Sequence, residues 1–191
     1  YLELAQELGV RNIHVHKGPT VYPLNQDAFD VSDVDDVATE FPGLNFIVEH
    51  VGMPRVEHFC WIATQEPNVY GGLAVVLAFL HRRPKYFGKV LSELLFFLGE
   101  DRLTFGSDFP IWHPRWLVEK FVDYQIPEDV YDDYGIELTD TIKRKILGLN
   151  AARLYGIDVP DDQRVPGPPV TEAIPLPAEA DADDDTDRKS A

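Results

Sequence analysis

The sequence predicts an α/β fold in which four parallel strands alternate with helices. Three observations predict it. Short apolar runs recur at Asn12–His16, Leu44–Glu49, Asn68–Gly72 and Arg102–Ser107. Stretches with helical apolar spacing separate them. Each run ends in, or just before, a polar or glycine-rich turn, as a strand feeding a crossover helix does.

Taken in order, Tyr1–Gly9 reads as the last turns of a helix, with Leu4 and Leu8 on one face and Gly9 as the stop. Because the chain opens inside a helix, and Met53 is its only methionine, an upstream part is expected before Tyr1. Asn12–His16 alternates as a strand and is closed by Lys17-Gly18-Pro19. Ser32-Asp33-Val34-Asp35 resembles a capped helix start, and Val34, Val37, Ala38 and Phe41 supply its apolar face. Pro42-Gly43 ends that helix before the second strand. A helix over residues 54–64 follows, carrying Val56, Phe59, Cys60 and Ala63 on one side. Residues 75–98 read as mostly helical with interruptions near Pro84 and Gly88. Trp116–Tyr124 reads as a helix, and Thr139–Tyr155 as a terminal one closed by Gly156.

The strands start near residues 12, 45, 68 and 102, so the steps are 33, 23 and 34. A (β/α)8 barrel of the TIM type spends roughly 31 residues on each unit. Four such units make half a barrel; a small open parallel sheet is the other architecture that fits. The chain has 191 residues, 45% of them hydrophobic, enough for one sizeable core over residues 1–157. From Pro160 the composition changes: nine acids and three bases lie among prolines and small residues. Residues 158–191 are expected to be a disordered tail, because they bury too little apolar surface to offset the entropy of ordering. The formal net charge of -16 argues against nucleic acid and anionic membrane surfaces as partners. No apolar run approaches the ~20 residues of a membrane span, and no signal peptide is visible. Cys60, the single cysteine, reads as a small buried hydrophobe in a reducing, cytoplasmic setting.

Polar residues at the strand ends carry the chemistry. His16, His50 and Asp108 all stand at C-terminal ends of strands, and in a barrel those ends surround one pocket. Two imidazoles and a carboxylate converging there suit a divalent metal of the zinc type. His14 and His16 share a strand face, since strand periodicity is two. His16 is nearer the C-terminal end and is the ligand of choice; His14 lies one layer deeper, in the core or supporting the ligand from behind.

The sequence resembles the amidohydrolase-related family that includes aminocarboxymuconate-semialdehyde decarboxylase, γ-resorcylate decarboxylase and dicarboxylic lactone hydrolases. Four segments carry the resemblance: His16-Lys17-Gly18-Pro19; Phe41 through Gly52; Arg102-Leu103-Thr104-Phe105-Gly106-Ser107-Asp108-Phe109-Pro110; and Ile146 through Gly156. They span residues 1–157 and would be strands five to eight of a metal-dependent hydrolase barrel, with a closing helix.

The resemblance implies roles. His16 would be the strand-five metal ligand. Asp108 would be the strand-eight ligand and also take a proton from the metal-bound water. His50 would orient or deprotonate that water, so His50 and Asp108 are the catalytic candidates. One divalent metal is implied, zinc first and manganese second. The family's strand-one HxH is missing, because His14-Val15-His16 lies too late in the order of strands. Strands one to four, with two ligands, must then come from elsewhere, and this chain alone would be inactive.

Arg55, after the second strand, could meet a carboxylate; Trp112 and His113, after Asp108, could touch substrate. Tyr70 is assigned to the core. The expected activity is hydrolysis of a small carboxylated or carbonyl substrate by metal-activated water. Nonoxidative decarboxylation is the alternative within the family, and a silent scaffold or assembly subunit the alternative outside it. A homodimer of the full-length protein is the expected assembly, while the isolated half-barrel, with open sheet edges, is expected to self-associate.

Overall fold

The computed structural model describes residues 1–164; the rest of the expected tail, 165–191, lies outside the described residues. Four strands, β1 (Asn12–His16), β2 (Asn45–Glu49), β3 (Val69–Gly72) and β4 (Leu103–Thr104), form one parallel sheet in the order β1-β2-β3-β4. Each strand pairs with the next in the chain, the arrangement of successive βα units in a barrel. An open, doubly wound sheet would instead reverse its strand order at a switch point. β1 and β4 are each paired on one side only among the described residues.

The two faces of this sheet have different chemistry. Phe46 and Val48 of β2, Val69 of β3 and Leu103 of β4 point outward and join the helices in one apolar core. That core takes α2 (Ser32–Glu40) through Val34 and Ala38, α3 (Val56–Gln65) through Phe59, Cys60 and Ala63, and α5 (Pro84–Leu98) through Phe87, Leu91 and Leu94. The opposite face carries Asn12, His14 and His16 on β1 beside Asn45, Ile47 and Glu49 on β2, in that register. Asn45 donates to Asn12 across the pair at 2.8 Å. Tyr70 lies on this inner face opposite Ile47 and is half-buried, outside the apolar core to which the sequence assigned it.

Local chemistry moved several boundaries. α1 (Leu2–Glu7) forms and stops at Gly9, but Leu4 and Leu8 are both exposed. Ser32 does not cap α2; Val31 holds the N-cap position, and the Ser32 hydroxyl turns back to Asp30. The 75–98 stretch breaks once, between α4 (Phe79–Arg82) and α5, where Pro84 restarts the helix. No break occurs at Gly88. That glycine is buried inside α5 because a Cβ there would meet the Tyr124 hydroxyl oxygen at 2.5 Å. β4 is shorter than its apolar run, since Phe105 N–H already turns to the Ile146 carbonyl. α6 (Pro114–Val122) is followed by α7 (Glu128–Tyr134), which the sequence did not announce. The terminal helix comprises α8 (Asp140–Arg144), a π turn at Lys145–Leu149, and α9 (Asn150–Tyr155). Cys60 is fully buried, and burial, with Glu93 and Glu57 nearby, pushes its thiol up to about 12, so it is an inert core residue.

Candidate active site

Strained backbone marks one end of the sheet. Among the described non-glycine residues, positive φ occurs at His50 and Val51 after β2, at Val75 after β3 and at Asp108 after β4. Such conformations cost on the order of 1–3 kcal/mol each and persist where the surrounding structure over-determines them. Here they lie just beyond the C-terminal ends of the strands, the face that carries His16.

His16 and His50 meet at that end. Their rings are edge-on with centroids 4.5 Å apart, and His50 Nε2 lies 3.2 Å from His16 Nδ1. Each outer nitrogen faces a carbonyl: His50 Nδ1 donates to Ala74 O at 3.0 Å, and His16 Nε2 donates to Pro19 O at 2.8 Å. A carbonyl only accepts, so these bonds place the proton of each neutral ring on the outer nitrogen. With both rings neutral, the inner nitrogens therefore face each other with lone pairs, an arrangement suited to a shared cation. Two imidazole nitrogens turned to one point suit a zinc-type ion and the water it would bind.

Asp108 occupies the equivalent point of β4, where its carbonyl accepts from Ile111 N–H at 2.9 Å. The structure does not bring its carboxylate into the histidine pair. Among the described residues no three His, Cys, Asp or Glu side chains are grouped to hold a metal ion. The donors present thus fit one edge of a metal site.

Glu49, which the sequence reading passed over, belongs beside this pair. It stands opposite His16 in register and leans over Gly72, where a Cβ would meet Glu49 Oε2 at 2.4 Å. His14 Nδ1 donates to Glu49 Oε1 at 2.6 Å, and Tyr155 at the end of α9 donates its hydroxyl to His14 Nε2 at 2.5 Å. Burial, then the Glu49 charge, raises the Tyr155 phenol and keeps it a donor. His14 is therefore exposed on the inner face and not a core residue. The signal for Glu49 was an acid two residues after Ile47 in an otherwise apolar strand, in phase with the histidine face.

The loop between β1 and α2 packs against His16. Phe29 sets its ring edge-on to His16, with centroids 5.2 Å apart. Lys17, buried beneath, donates to Asp33 Oδ2 at 2.7 Å and to Ala28 O at 3.3 Å. Arg55 stands at the mouth, paired with Asp30 of the loop. Trp112 packs partly buried against the core, and His113 Nδ1 accepts from Arg115 N–H as the N-cap of α6. Both stay in the loop after β4, and neither is bonded to the histidine pair.

Solved structures share the fold. An uncharacterised TIM-barrel protein from Bordetella bronchiseptica superposes with a TM-score of 0.59 at 21% identity, covering 81% of this chain and 48% of that one. A 2,6-dihydroxybenzoate decarboxylase from Rhizobium superposes at 0.51 with 17% identity, covering 83% of this chain and 55% of the other. The chain thus spans about half the length of these structures, and it supplies one half of a TIM-type barrel. No curated protein matches it. The family model for amidohydrolases matches residues 1–157, a span that holds all four strands, both histidines and Asp108; the chain belongs to the amidohydrolase family.

Proposed function

We propose that this chain carries the C-terminal half of the active site of a metal-dependent hydrolase acting on a small carboxylated or carbonyl compound. One observation supports it above the others: two imidazoles whose outer protons are fixed by carbonyls turn bare nitrogens toward each other at 3.2 Å. A structural pair of neutral histidines needs one ring to donate to the other, and the two carbonyl bonds leave neither neutral ring a proton with which to do so.

A bound zinc-type ion would supply a water acidic enough to lose its proton near neutral pH and would polarise the substrate carbonyl. His16 would hold it through Nδ1. His50, with its ring fixed by Ala74 O, presents Nε2 to orient the attacking water. Asp108, in the turn beyond β4, would be a further ligand and accept the water's proton on its carboxylate. Arg55 would bind a substrate carboxylate, a reading supported by its pairing with the Asp30 carboxylate. The remaining ligands would come from strands set beside the free edges of β1 and β4. Trp112 and His113 would line the outer part of the pocket.

Cobalt(II) titration followed by visible absorption, with elemental analysis after zinc dialysis, tests the reading. Up to about one metal per chain is expected, with micromolar or weaker affinity because half the ligands are missing. His16→Ala should abolish the cobalt band, and Asp108→Ala should weaken it. A band that survives His16→Ala would refute the assignment. With a complete barrel, release of CO2 from a carboxylated substrate, in place of a new acid, would assign decarboxylation to the same residues.

A further inference from the structure

The ion pair between Arg55 and Asp30 sits beside the candidate site and is not optimised. Arg55 immediately precedes α3, and its side chain is 55% exposed. Asp30 uses Oδ1 for Ser32 alone, accepting from its backbone N–H at 3.0 Å and from its hydroxyl. Only Oδ2 is left for Arg55, and it meets a single guanidinium nitrogen, Nη1. The Ser32 bonds, helped by Arg55 against a small opposing effect of burial, hold the Asp30 carboxyl below its ordinary range, so it stays ionised near neutral pH. A guanidinium has five donors in a planar fork and binds a free carboxylate through two parallel bonds. Asp30 therefore occupies Arg55 in the weaker, one-pronged mode.

The position of the pair ties this to access. A recess of about 20 Å³, room for one or two water-sized groups, is lined by Gly18, Gln26, Phe29, Asp30, Met53 and Arg55. It abuts the candidate site: a Cβ on Gly18 would lie 2.9 Å from His50 Cβ. The same loop carries Phe29 onto His16 and Pro19 O onto His16 Nε2. Lys17 ties the start of α2 through Asp33 and the loop through Ala28 O, so a release at Asp30 would loosen the loop without detaching it and leave the helix in place.

We propose that Asp30 is a built-in competitor for the carboxylate of the ligand at Arg55, so that a small organic carboxylate enters by displacing Asp30, taking the guanidinium fork and loosening the loop whose Pro19 carbonyl holds His16. The proposal rests on the reading that the substrate is carboxylated and that Arg55 receives it. It makes Asp30 a specificity-determining residue: neutral analogues cannot displace it, and weak anions do so only in proportion to their grip on the fork.

Benzoate is the probe, titrated at 0.15 M NaCl into the chain and its variants with NMR detection of the Arg55 Nε–H. Asp30→Asn should tighten benzoate about two- to fivefold, the range set by a solvent-exposed ion pair. Asp27→Asn, an acid on the same loop outside the ion pair, should leave the affinity unchanged and so control for the loss of net charge. Arg55→Gln should abolish the response in either background, and neutral benzamide should give none. Benzoate should also speed amide exchange of residues 18–31 in the wild type. Unchanged or weaker binding in Asp30→Asn, with binding still dependent on Arg55, would overturn the competitor role and leave Arg55 as the carboxylate site. Binding that ignores Arg55→Gln, or no binding by any variant, would overturn both.

Discussion

The two faces of the sheet were built to different standards of completion. On the outer face Phe46, Val48, Val69 and Leu103 lie buried under α2, α3 and α5. On the inner face His14 and His16 remain exposed, and Glu49 is half-buried. The outer face is finished by this chain alone. The inner face is a polar layer of bonds, Asn12 with Asn45 and His14 with Glu49 and Tyr155, that presumes a further wall. The buried apolar core thus lies on the outer face, and the groups proposed to act lie on the inner one.

Removing one large side chain from each face gives the sharpest contrast. Phe59 of α3 is fully buried in the outer core, and Phe59→Ala should cost about 3–5 kcal/mol. His16 is exposed, and His16→Ala should move stability by no more than about 1 kcal/mol while removing metal binding. Urea unfolding of the two variants measures both. A His16→Ala cost comparable to that of Phe59→Ala would mean that the inner face also holds the fold together.

A smaller effect tests whether the inner layer is built at all. Gly72 leaves room for the Glu49 carboxylate, and Gly72→Ala puts a methyl group where Oε2 lies. The carboxylate is the free end of a side chain, so it should swing aside and release His14. The expected cost is about 1–2 kcal/mol, the worth of a charge-assisted hydrogen bond. Nitrogen-15 spectra should show the His14 Nδ1 proton losing its partner. An unchanged His14 signal would demote the Glu49–His14–Tyr155 chain to a chance surface contact.

The same division explains what the sequence revealed. The outer face was legible because periodicity reports burial: Val34, Ala38, Phe59, Cys60 and Ala63 all fell on the buried side as their spacing required. The strand-end positions of His16 and His50 were legible for a related reason, since a polar residue closing an apolar strand interrupts the pattern, whereas β4 stops at Thr104, four residues short of Asp108. Glu49 was missed because its meaning lies in the register with β1, a long-range property no local window contains. The bond from Ser32 to Asp30 was missed because a serine before an acidic turn reads as a cap, and only the folded loop shows it turned backward. α7 was missed because Glu128-Asp129-Val130-Tyr131-Asp132-Asp133-Tyr134 has one apolar anchor, Val130, too few for a period to show.

The smallest expected effect concerns the polar rim that closes the outer layer behind β4. Lys145, buried, donates to Glu100 at 2.6 Å and lies 2.8 Å from Asp101, which Arg153 also approaches at 3.2 Å. Burial alone would push the Asp101 carboxyl up, but the hydrogen bond and charge of Lys145, then of Arg153, outweigh it and hold the group below its ordinary value of 3.8. A carboxyl with a lowered folded pKa favours the folded state above its unfolded pKa, and that contribution is lost as pH falls through the folded value. Asp101→Asn should therefore be less stable than the wild type at pH 7, and the gap should close as the pH is taken below about 4. Lys145 keeps Glu100 as a partner in the variant, so the gap should stay below that of Gly72→Ala. Urea midpoints of the two proteins at neutral and acid pH measure it. A gap that persists at acid pH would show that Asp101 acts through packing or neutral hydrogen bonds, and that the outer face owes as little to charge at its rim as in its interior.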